Sequence, residues 1–98
     1  MIFADTTILV YALDPREPLK QTVASRLLRE AAAAGNLVIS TQVLQEFYAV
    51  MLRRRILSHA DAADALQSWA EHEVVSTTPA LVLRAVVLQQ QHRLELWG

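Results

Sequence analysis

Three apolar runs, each too short to be a helix, divide this chain. They are Ile2-Phe3-Ala4, Leu37-Val38-Ile39 and Val74-Val75. Longer segments with helical spacing lie between them. Short buried strands that alternate with helices imply an α/β fold with a parallel sheet, because parallel neighbours need a crossover and the crossover helices cover the sheet. Ligands of such sheets sit outside the carboxyl ends of the strands. Those ends are where the polar residues of the chain need explaining.

The first run ends on Asp5-Thr6-Thr7, and the chain then turns apolar again from Ile8 to Leu13. These three side chains can cap a helix, since their oxygens accept the unpaired N–H groups of its first turn. The helix they start is apolar nearly all round and reads as buried. Pro15 and Pro18 make a loop of residues 14–18, within which Arg16, like Lys20 beyond it, reads as a solvated charge. A helix over about residues 19–34 puts Val23, Leu27, Leu28 and Ala31 on one face and stops at Gly35-Asn36. After the second run, Ser40-Thr41 caps a helix that carries Val43, Leu44, Phe47, Val50 and Met51 on one side and runs out through Arg53-Arg54-Arg55. Ser58-His59-Ala60-Asp61 resembles a capping box, opening a helix to about His72. Thr78-Pro79 starts a last helix to about Gln91, and residues 92–98 form a possible fourth strand.

Glu46 is the second polar residue out of place. At about 100° per residue it lies roughly 40° from Val50 and 60° from Val43, on the shoulder of the apolar stripe. Its neighbours at three and four residues are Gln42, Val43, Ala49 and Val50, none of them a cation. The ends of the first two strands should adjoin, so Asp5 and Glu46 can converge. Two such carboxylates suit a hard divalent cation, which takes oxygen ligands and keeps several waters. The plainer alternative is that Asp5 only caps its helix and Glu46 only sits at the solvent edge. Both readings stand on the residues alone.

Composition excludes several other classes. The chain has 98 residues and no cysteine, so neither a disulfide framework nor a thiolate zinc site exists. Its formal net charge of −1 provides no global field for nucleic acid, leaving that to a local patch such as Arg53-Arg54-Arg55. That patch equally suits a helix C-terminus, where cations complement the dipole. Both glycines are isolated, so there is no glycine-rich phosphate loop. His59, His72 and His92 lack paired metal-ligand spacing, and Trp69 and Trp97 read as packing residues. No apolar stretch approaches the roughly 18–20 residues that span a bilayer, and a soluble, cytoplasmic protein is expected.

"FADTTILVYALD" and "GNLVISTQVLQEFYAVMLRR" together resemble PIN-domain ribonucleases, especially the VapC-like toxins of bacterial toxin–antitoxin pairs. The resemblance runs over essentially the whole chain, read as one PIN-like domain over residues 1–98. It implies a three-layer α/β/α fold with a short central parallel sheet. It also implies Mg²⁺- or Mn²⁺-dependent endonucleolytic cleavage of RNA, homodimerisation and inhibition by a cognate antitoxin. Asp5 matches the first acid of the family and Glu46 the second, with Thr6, Thr7 and Ser40 as supporting residues. Thr7 stands where the family has Asn. Gly98 stands where the third acid should follow Trp97, and Glu95 is expected on the same strand face as Trp97. A C-terminally truncated domain, lacking its last strands and impaired or inactive as an enzyme, is the expectation. A non-catalytic remnant that dimerises or binds antitoxin is the alternative. A phosphoacceptor receiver domain fares worse, because Asp5 stands alone after its strand and Lys20 is the only lysine.

Overall fold

The computed structural model describes residues 2–84, 86 and 87. The elements run β1 (Ile2–Phe3), α1 (Thr6–Ala12), α2 (Pro18–Ala33), β2 (Leu37–Ser40), α3 (Thr41–Arg53), α4 (His59–Ala70) and β3 (Glu73–Val75). Residues 79–84, 86 and 87 are again helical. The expected helix end near Gln91, the possible strand over residues 92–98, and Glu95, Trp97 and Gly98 lie outside the described residues.

The three strands form one parallel sheet in the order β1-β2-β3. Ile2 pairs with Leu37 and Phe3 with Val38, while Val38, Ile39 and Ser40 pair with Glu73, Val74 and Val75. The central strand carries the sheet. Leu37, Val38 and Ile39 are all buried, and side chains alternate between faces, so β2 is covered on both. Leu37 and Ile39 join the main core with Leu9, Phe47 and Met51, the last three of which no solvent reaches. The fold is therefore the α/β arrangement with a short parallel sheet that the alternation of runs predicts.

Local chemistry places the helix ends. Asp5 caps α1, its Oδ1 accepting from the Ile8 N–H at 3.0 Å. Pro18 opens α2, where its missing N–H costs nothing. At the other end Gly35 takes φ 69°, its N–H bonds the Ala32 carbonyl, and the Asn36 N–H bonds that of Ala31. This closing turn aims the chain into β2, and the Asn36 carbonyl accepts from Ile2 N–H at 2.7 Å at the start of the β1–β2 pairing. Ser40 caps α3 and Ser58 caps α4, each through its hydroxyl oxygen three residues ahead. Only this half of the expected capping box at Ser58–Asp61 is formed.

Arg16 is exposed, as expected of a solvated charge, yet it is also paired. Asp14 is buried just past α1, and Arg16 grips it through Nε at 3.0 Å and Nη2 at 3.3 Å while its backbone N–H bonds the same carboxylate. Arg16 Nη1 also donates to the Arg54 carbonyl at the end of α3. A buried carboxylate needs this pairing, and the loop between its prolines is short enough to supply it locally. Lys20 is not free either, since its Nζ lies 3.2 Å from the Tyr11 hydroxyl and 4.8 Å from the centre of that ring.

Candidate metal centre

An open cleft of about 360 Å³ lies across the carboxyl ends of the strands. Asp5, Thr6 and Thr7 line it from the end of β1 and the start of α1, Ser40 from the end of β2, and Glu46 from α3. Leu81, Val82 and Val86 line it from the last helical stretch, which makes one wall polar and another apolar. The five residues expected at strand ends thus share one cleft. Arg53, Arg54 and Arg55 do not line it. They close the far end of α3, seven or more residues and roughly 10 Å along the helix from Glu46.

Asp5 is half-buried and fixed by its cap. Its Oδ1 is taken by Ile8, and Oδ2 accepts no hydrogen bond from a described residue. Glu46 is exposed, yet held at both oxygens. Thr6 Oγ1 donates to Glu46 Oε2 at 2.7 Å, and Gln42 Nε2 donates to Glu46 Oε1 at 3.0 Å. The Thr6 bond crosses from α1 to α3 and ties Glu46 to the residue directly after Asp5. Both donors are neutral, so neither forms an ion pair with the carboxylate. Among the described residues no arginine or lysine lines the cleft.

Two residues in this cleft lie outside the expected site set. Gln42 reads in the sequence as a non-cation beside Glu46, but its amide is also a donor at i,i+4 spacing. Thr77, beyond β3, accepts from the Gln42 backbone N–H at 3.2 Å and donates its own N–H to Thr41 Oγ1 at 3.4 Å. That contact spans 35 residues and carries no local signal. The polar run Ser76-Thr77-Thr78 at a third strand end was its one visible trace.

The donor set decides which ion fits. Among the described residues, the polar groups that line the cleft are carboxylates, hydroxyls and an amide, with no sulfur and no imidazole. Such oxygen donors suit a hard divalent cation that retains much of its water. Among the described residues no three His, Cys, Asp or Glu side chains gather to hold a metal, so Asp5 and Glu46 would act as a pair.

A family model of the PIN domain matches residues 2–96. No curated protein and no solved structure matches the chain. The match covers nearly the whole sequence, and the chain belongs to the PIN-domain family, whose members are nuclease-type proteins that generally use divalent metal ions. No described helix is long and apolar enough to cross a membrane.

Proposed function

We propose that this PIN-domain chain is a divalent-metal-dependent endoribonuclease of the VapC-like toxin kind, with Asp5 and Glu46 as its metal-holding acids. The observation that carries the reading is the hydrogen bond from Thr6 to Glu46, which ties the second acid to the residue that follows the first. Mg²⁺ or Mn²⁺ is the ion such donors favour. When bound, it lowers the pKa of a coordinated water and offsets charge on the phosphate.

The side chains divide the remaining work. The cap on Ile8 immobilises the Asp5 carboxylate and leaves Oδ2 for the ion. Thr6 and Gln42 fix Glu46 without cancelling its charge. The exposed Thr7 hydroxyl is available to a phosphate oxygen, and Ser40 sets the start of α3. Arg53, Arg54 and Arg55 would meet backbone phosphates beyond the cleft. The chain works as one domain in the cytoplasm, with RNA as substrate and a cognate antitoxin and a second copy of itself as partners.

Incubation of RNA with the full chain, with and without Mg²⁺, tests this. Internal cuts should need the metal, and Asp5→Asn or Glu46→Gln should slow them about a hundredfold, since even outer partners of a metal site cost 10–100-fold. Cleavage that survives both substitutions, or that ignores the metal, contradicts the proposal. A wild type that cuts nothing under any divalent ion replaces it with the antitoxin-binding remnant.

A further inference from the structure

We infer that Gln42 is a positioning residue for Glu46, and that Thr77 in turn positions Gln42, so that the ends of all three strands jointly aim the second carboxylate. The inference rests on the metal-dependent reading above and deepens it.

An exposed glutamate on a helix has three side-chain torsions to fix. A small cation such as Mg²⁺ tolerates little of that freedom, because its ligands must sit at about 2.0–2.1 Å in near-octahedral directions. One donor leaves a carboxylate free to swing about the bond. Two donors, on different oxygens and from different elements, fix its plane. Glu46 has that arrangement, with Thr6 from α1 on Oε2 and Gln42 from its own helix on Oε1. Each oxygen accepts one bond and keeps a lone pair.

Gln42 is itself held. Backbone N–H groups in the first turn of a helix have no partner within it. In α3 the Val43 N–H is taken by Ser40 Oγ, three residues back. The Gln42 N–H is taken by Thr77 Oγ1, and Thr77 N–H answers on Thr41 Oγ1. These paired bonds dock the exit of β3 onto the first turn of α3. The turn that carries Gln42 is therefore anchored by β2 through Ser40 and by β3 through Thr77. A simple surface pair between residues four apart would need neither the Thr77 bonds nor the second donor from Thr6.

Two measurements on the full chain test the role. Without metal, the Gln42 side-chain amide protons should resonate away from the free-amide position in NMR spectra and return to it in Glu46→Ala. Identical amide shifts in the two proteins overturn the inference outright. In Mn²⁺ titrations, Gln42→Met should bind about tenfold more weakly than wild type, with its melting temperature unchanged. Thr77→Val should move the Gln42 backbone amide resonance and weaken Mn²⁺ in the same direction. Wild-type affinity in Gln42→Met, alongside affinity lost in Asp5→Asn, overturns the positioning role and leaves the metal site standing. A wild type that shows the amide shift but binds no Mn²⁺ overturns the functional reading, and the positioning role falls with it.

Discussion

Asp14 lies buried beside α1, with three donors from Arg16 on its two oxygens. The Arg16 side-chain hydrogen bond holds its pKa below the usual aspartate value, against the opposing pull of burial. Folding thus lowers Asp14's affinity for protons. The resulting stabilisation is complete above the unfolded value of about 3.9 and drains away as pH falls through the lower folded value. Asp14→Asn should cost about 1–3 kcal/mol at neutral pH, because it strips charge from a buried acceptor. Its stability should also fall less steeply than that of wild type below about pH 4. Denaturant unfolding across an acid series reads both, and parallel curves would contradict the assignment. Asp14 shows where residue-level reading stops. Asp5 was conspicuous because it broke an apolar run, and Glu46 because it stood on an apolar shoulder without a cation. The Asp14–Arg16 grip depends on Asp14 being buried at a corner between two helices, and nothing in the residues from Asp14 to Pro18 announces that burial. Thr77 was hidden for a related reason, since a contact across 35 residues leaves no periodicity, whereas Gln42 stood at i,i+4 spacing from Glu46 and was legible as a donor.

The two closing turns of α2 and α3 make the same pair of hydrogen bonds with different residues. Gly35 occupies the left-handed position after α2 and Arg55 the equivalent position after α3, at φ 55°. In each, the N–H of that residue and the next bond carbonyls of the preceding turn. Glycine adopts this conformation freely, whereas a side chain there costs about 1–2 kcal/mol. Part of the gain from removing it is offset by the greater freedom of glycine in the unfolded chain. Arg55→Gly should therefore raise stability by about 0.5–1 kcal/mol, seen as a higher denaturant midpoint at constant slope. A lower midpoint would contradict the strain. Elements with such punctuation were legible, including the Gly35-Asn36 stop, the Ser40 and Ser58 caps, and the proline entry to α2. The turn at Arg55 was not, because arginine carries no left-handed signature. β3 begins at Glu73, one residue before the apolar pair that marked it, because backbone pairing with Val38 extends past the apolar side chains.

Across the whole molecule, a sheet of two to four residues per strand suffices because α1 to α4 all reach one core against Leu37 and Ile39. The strands serve mainly to set the relative heights of α1 and α3, which carry Asp5 at one helix start and Glu46 in the second turn of the other. The proposed chemistry requires those two acids to share one divalent ion. Paramagnetic broadening by Mn²⁺ tests this most directly, since it falls off steeply with distance and needs neither RNA nor activity. At substoichiometric Mn²⁺, the backbone amide signals of Asp5, Thr6, Gln42 and Glu46 should vanish first and together, and Asp5→Asn should restore all of them. Broadening that begins elsewhere, or that persists around Glu46 in Asp5→Asn at the same Mn²⁺ level, would contradict a shared site.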